Sequence, residues 1–177
     1  MKPARPSGLR DRPMGPGPEA NLAREMVQTT AEARQQLLDE LAGATDEIGF
    51  ALASLGAAYE QLDEARADEL EAALFRPVQL AYGRARRAHS EFAARHGLAS
   101  REFNLRSAGL PSTGAKGFID NAVVAVGKAD TALASLQDSL LPVEVGDAEL
   151  RAALAELREL VGDVGQRARN LVRVIGR

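Results

Sequence analysis

Leu150, Leu154, Leu157, Val161, Val164, Ala168, Leu171 and Ile175 recur at alternating spacings of four and three. This a/d heptad pattern predicts one helix from about Asp147 to Arg173. Leu160, Val172 and Val174 widen the stripe beyond the two-in-seven seam of a simple dimeric coiled coil, and a stripe that broad fits a helix packed against several neighbours. The fold class that follows is all-α, a four- or five-helix antiparallel bundle with heptad-type packing and a long first helix.

The other helices obey the same period. Leu22, Met26, Thr29, Ala33, Leu37, Leu41, Ala44, Ile48, Ala51, Leu55, Ala58 and Leu62 mark a first helix from Glu19, about 70 Å long if unbroken. Gly43 followed by Thr45, Asp46 and Glu47 offers a stop and restart within it, against a continuous or mildly kinked helix. The turn into the second helix is placed by length alone, between Leu62 and Leu70, with Pro77 as the alternative breakpoint because proline deletes a helical hydrogen bond. Val78, Ala81, Ala85, Ala88 and Phe92 continue that helix to about His96, where Gly97 ends it. A long connection over 97–114 precedes a third stripe of Ile119, Ala122, Val126, Ala129, Leu133, Leu136 and Leu140, stopped by Pro142. Asp147 then reads as the cap of the final helix.

Residues 1–18 carry five of the eight prolines together with Gly8, Gly15 and Gly17. They read as a disordered Pro/Gly-rich tail, leaving 19–177 as a single helical-bundle domain. The tail has the Arg10, Pro13 and Pro16 spacing of a proline-rich ligand, which short patterns match readily; it lacks the apolar core of a secretory signal. No run of about 18 apolar residues exists, so no membrane span is expected, and the expected location is cytoplasmic. Among the 177 residues cysteine is absent, which excludes disulfides, thiol catalysis and cysteine-based metal sites.

Net charge is only −3, but it is unevenly laid out. Residues 19–71 hold 3 basic against 13 acidic side chains, 72–118 hold 8 against 2, and 119–163 hold 3 against 9. Alternating helices of opposite sign attract one another across a bundle.

Candidate chemistries fall away one by one. Leu110-Pro111-Ser112-Thr113-Gly114 resembles the sorting motif cleaved by sortases over five residues, but an amphipathic helix follows it where a membrane-spanning stretch belongs. Its plain reading is a loop in which Ser112 or Thr113 caps the next helix. Gly109 to Lys116 approaches a phosphate-binding loop but has Ala115 and Gly117 where lysine and a hydroxyl residue are needed. An anion held by helix-three amides and Lys116 is what survives of that idea. His89 and His96 share a helix face without the Glu-x-x-His pairs of a di-iron bundle, and read as core-edge or surface residues. No cofactor, metal or small-molecule substrate is indicated.

Two function classes remain. The first is a non-enzymatic bundle acting by protein–protein interaction, as a homo-oligomer or as a structural or adaptor component of a larger assembly. Its partner-binding residues are Leu22, Met26, Leu37 and Leu41, expected to overhang the shorter helices. The second is a nucleic-acid-binding protein using the Arg-rich segment 76–116, where Arg84, Arg87, Arg95, Arg101, Arg106 and Lys116 would track phosphates. Against that reading, Glu91 stands four residues from both Arg87 and Arg95, and pairing of the basic helix with the acidic ones accounts for the same charges.

Overall fold

The computed structural model describes residues 17–139, 141–145 and 147–175. Most of the expected tail, with its proline spacing, and the stripe residue Leu140 lie outside them, as does the side chain of Ile175. The described chain is helical, without a strand: α1 (Pro18–Tyr59), α2 (Glu64–Leu70), α3 (Arg76–His96), α4 (Gly114–Asp138), α5 (Leu141–Glu144), α6 (Ala148–Gly162) and α7 (Val164–Ile175).

Gly17 and Pro18 begin α1; proline in the first turn gives up no bond and presets φ. The helix runs through Gly43 without a break. Thr45 is buried and gives its hydroxyl hydrogen to the Leu41 carbonyl at 2.7 Å instead of capping a new helix. Leu41 and Ile48 on either side are fully buried, each contributing about 1.5–3 kcal/mol, more than the ~1 kcal/mol that a helical glycine costs. The turn falls at 60–63, where the Asp63 carboxylate accepts from the Arg66 amide and starts α2.

From Glu64 to His96 the chain stays helical, but Glu71–Phe75 widens into a π turn in which the Arg76 amide donates five residues back to Glu71. The following Pro77 has no amide hydrogen, and its ring would meet the carbonyl of Ala73 in a regular helix. The wide turn absorbs that conflict, and the chain stays helical from one side of it to the other. Gly97 closes α3 in the left-handed conformation (φ 65°), with Leu98 and Gly97 amides returning to Ala93 and Ala94, a Schellman cap.

The single last helix expected from the heptads is two helices. Their stripe is buried throughout, from Leu150 to Leu171, but Gly162 and Asp163 interrupt the backbone, and Asp163 caps the second piece through its carbonyl to Arg167. Two further expectations change. Thr113 stands at the start of α4 without a side-chain cap, after a tight turn at Pro111–Thr113. Pro142 does not stop α4, which ends at Asp138, but sits in the first turn of α5.

Four helical rods make the bundle, in the order α1, α3, α6–α7, α4 around the axis. Each is antiparallel to both neighbours. Gly49 abuts Tyr82 across α1 and α3, and Gly56 approaches Phe75 in the π turn that leads into α3; Arg84 meets Glu156 and Arg95 meets Asp147 across α3 and α6. Arg158 meets Asp130 across α6 and α4, and Gln61, just past α1, donates to the Pro111 carbonyl ahead of α4. Because α3 and α4 run the same way, the chain must return along the full bundle between them. Residues 98–110 do this as a strap laid over the groove between α1 and α3.

Candidate interaction surface

The bundle begins on α1 at Leu37 and Leu38, which are buried. N-terminal to them the helix projects alone: every residue from Pro18 to Thr29 is exposed, and only Thr30, Ala33 and Arg34 are partly covered before Leu37. At 1.5 Å per residue the wholly bare part is about 18 Å long. Leu22 is 60 %, Met26 62 % and Val27 69 % exposed.

The four partner-binding residues expected from sequence therefore divide. Leu22 and Met26 lie on the overhang. Leu37 and Leu41 are 1 % and 0 % exposed in the chain's own core, because the bundle end reaches further along α1 than helix lengths alone indicated. Val27 and Ala23 join the exposed set in their place. They fall on the same side as Leu22 and Met26 at about 100° per residue, and that side continues the face by which Leu37, Leu38 and Leu41 enter the core. A heptad stripe takes about one residue per turn, and Ala23 and Val27 stand beside it.

The basic cluster is mostly engaged. Arg84 lies 2.6 Å from Glu156 and Lys116 2.7 Å from Asp120. Arg95 reaches both Asp147 at 2.9 Å and Glu149 at 2.7 Å, rather than Glu91 on its own helix. Arg101 pairs with Asp46, and Arg106 reaches Glu47 at 3.6 Å and the Asp46 carbonyl at 3.5 Å. Of the six, only Arg87 has no ion pair among the described residues. Arg84 and Arg95 thus tie α3 to α6, Arg101 and Arg106 tie residues 98–110 to α1, and Lys116 pairs within α4.

Two of those arginines hold the strap. Arg101 stacks 4.4 Å above the Phe103 ring while bonding Asp46, and Arg106 lies 5.2 Å over Phe50. Phe103 is itself buried, edge-on to His89 at 4.9 Å, and its carbonyl accepts from the Tyr82 hydroxyl at 3.3 Å. Tyr82 fits because Gly49 has no side chain; a Cβ there would stand 2.9 Å from the ring. His89 is buried with its Nδ1 lacking a partner. Burial, helped by the Arg101 charge, pulls its pKa below the ordinary 6.5.

Beside the end of α3, where the strap begins, Asp147 caps α6 by accepting from the Leu150 amide at 2.7 Å. The same carboxylate takes two hydrogen bonds from Arg95 and one from His96 Nε2 at 2.8 Å. An ionised carboxylate only accepts, so His96 carries its proton on Nε2. Burial alone would raise the Asp147 pKa, but the bonds from Arg95, Leu150 and His96 bring it below its usual value. The sequence marked Asp147 as a cap and the two histidines as one face; the clasp between them needs the α3–α6 crossing, for which no local signal exists.

No protein-family model, curated protein or solved structure matches the chain. Among the described residues no three metal-ligating side chains converge, and no helix is long and apolar enough to cross a membrane. Among the described residues the longest stretch of bare helix is the N-terminal part of α1, with Leu22, Met26 and Val27 exposed on it.

Proposed function

We propose that this chain is a non-enzymatic, cytoplasmic interaction protein that presents the α1 overhang to a protein partner, as a self-associating unit or an adaptor in a larger assembly. The observation that carries the reading is the continuity of an apolar helix face from the buried Leu37, Leu38 and Leu41 out to the exposed Met26, Val27 and Leu22. A lone helix of this length is marginal in water, and amphipathic helices gain their stability by burying such a face. Coiled-coil pairing is the natural mode, with the four-helix body serving as an anchor that fixes the overhang in space.

A photo-crosslinking residue placed at Val27, and separately at Gln28 on the polar face, tests this in the cell of origin. Adducts at Val27 that disappear with Leu22→Asp/Met26→Asp, with none at Gln28, are expected. No adduct at either position, or equal labelling of both, contradicts the reading.

A further inference from the structure

We propose that the occupant of the α1 overhang is a second copy of the chain, docked antiparallel about a twofold axis passing between Met26 and Val27. The inference rests on the reading of that face as a contact surface and adds the identity and register of the partner. Leu22, Ala23, Met26, Val27 and Ala33 occupy about half of the helix circumference, while Asn21, Arg24, Glu25, Gln28 and Glu32 take the other half. Only two charges intrude on the apolar half, and they stand at its two ends, Glu19 and Arg34, about 22 Å apart along the helix. Neither has an ion pair among the described residues, and the Arg34 Nε is buried without a hydrogen-bond partner.

One acid at one end and one base at the other make the face complementary to its own reverse. With Met26 and Val27 astride the twofold axis, Glu19 of each copy meets Arg34 of the other, so the pair forms twice. At this register Ala23 of one copy stands level with Thr30 of the other, both on the shared face. A parallel pairing would set Glu19 on Glu19 and Arg34 on Arg34. Sliding the copies one turn closer would drive the second α1 onto Leu37 and Leu38, which the chain already covers. Sliding them one turn apart separates the charges.

Sedimentation of the purified full chain over a wide concentration range tests the proposal, with circular dichroism and melting confirming that each variant folds. The wild type is expected to dimerise. Glu19→Arg and Arg34→Glu should each weaken the dimer about tenfold. An equimolar mixture of the two variants should recover it, because the copy with two bases on its face then meets the copy with two acids, and both pairs form again. A dimer indifferent to both reversals overturns the register. A wild type that stays monomeric overturns the second copy as occupant and leaves the face to a partner of another sequence. A dimer indifferent to Leu22→Asp/Met26→Asp overturns the contact surface itself.

Discussion

The strap over 98–110 and the overhang of α1 invert the usual relation between regularity and attachment. The strap has no helix or strand, yet Phe103 is buried beneath it and Arg101 and Arg106 fasten it to Asp46 and Glu47. The overhang is fully helical, yet Leu22, Met26 and Val27 stand exposed. A segment is held by what its side chains reach, and a complete set of backbone hydrogen bonds supplies no partner for an apolar face. Length and irregularity make a loop a candidate for function; here the loop is consumed in closing the fold, and the regular element carries the free surface.

The sharpest way to break that contrast is to place charge at the two ends of the same α1 stripe. Leu37→Asp/Leu41→Asp buries two carboxylates among fully covered positions and should abolish cooperative folding, at more than about 5 kcal/mol. Leu22→Asp/Met26→Asp should leave the melting of the body within about 0.5 kcal/mol while reducing association. Equal effects of the two pairs on thermal unfolding would contradict the boundary at Leu37.

Next in size is the clasp that ties α3 to α6. Asp147→Ala removes the α6 cap and leaves Arg95 and His96 without their shared acceptor, and about 2–4 kcal/mol should be lost in denaturant titrations. The anchorage of the strap is probed by Gly49→Ala, whose Cβ meets the Tyr82 ring at 2.9 Å. Overpacking there should cost about 1–3 kcal/mol, with Tyr82→Leu in the same chain relieving part of it.

A smaller effect is titratable. His89 has a folded pKa below the 6.5 of the open chain, so the unfolded state binds the proton more readily. Its contribution is fully present above pH 6.5 and is lost as the pH falls from there through the folded value. His89→Leu should flatten the stability profile in that window, while the loss tied to Asp147, whose pKa lies below 3.8, should persist at lower pH. Arg101→Gln/Arg106→Gln removes exposed pairs and should cost about 1 kcal/mol. If the arginines served phosphates instead, that change would abolish a salt-sensitive association with nucleic acid that the wild type is expected to lack.

Periodicity made the bundle legible, because every core stripe from Leu37 to Leu171 repeats at three and four, and the alternation of acidic and basic segments foreshadowed Arg84 with Glu156 and Arg101 with Asp46. What it hid was decided by tertiary contact. Gly43 carries a stop signal that the burial of its neighbours overrides, Gly162 ends a helix whose apolar register never lapses, and the π turn before Pro77 accommodates a proline that reads as a breaker. The exposed face of α1 was half visible: Leu22 and Met26 stood out as surplus, but Leu37 and Leu41 belong to the same stripe and nothing in the residues marks where the neighbouring helices end. Glu19 and Arg34 take on meaning only once that end is known.

Hydrogen exchange at the backbone amides of 20–34, followed as a function of protein concentration, bears most directly on the claim that the overhang is a face awaiting a second copy. At low concentration these amides are expected to exchange quickly, as an unsupported helix end must, and to become protected as concentration rises, while those of 41–58 stay protected throughout. Rapid exchange in 20–34 at every concentration would contradict it.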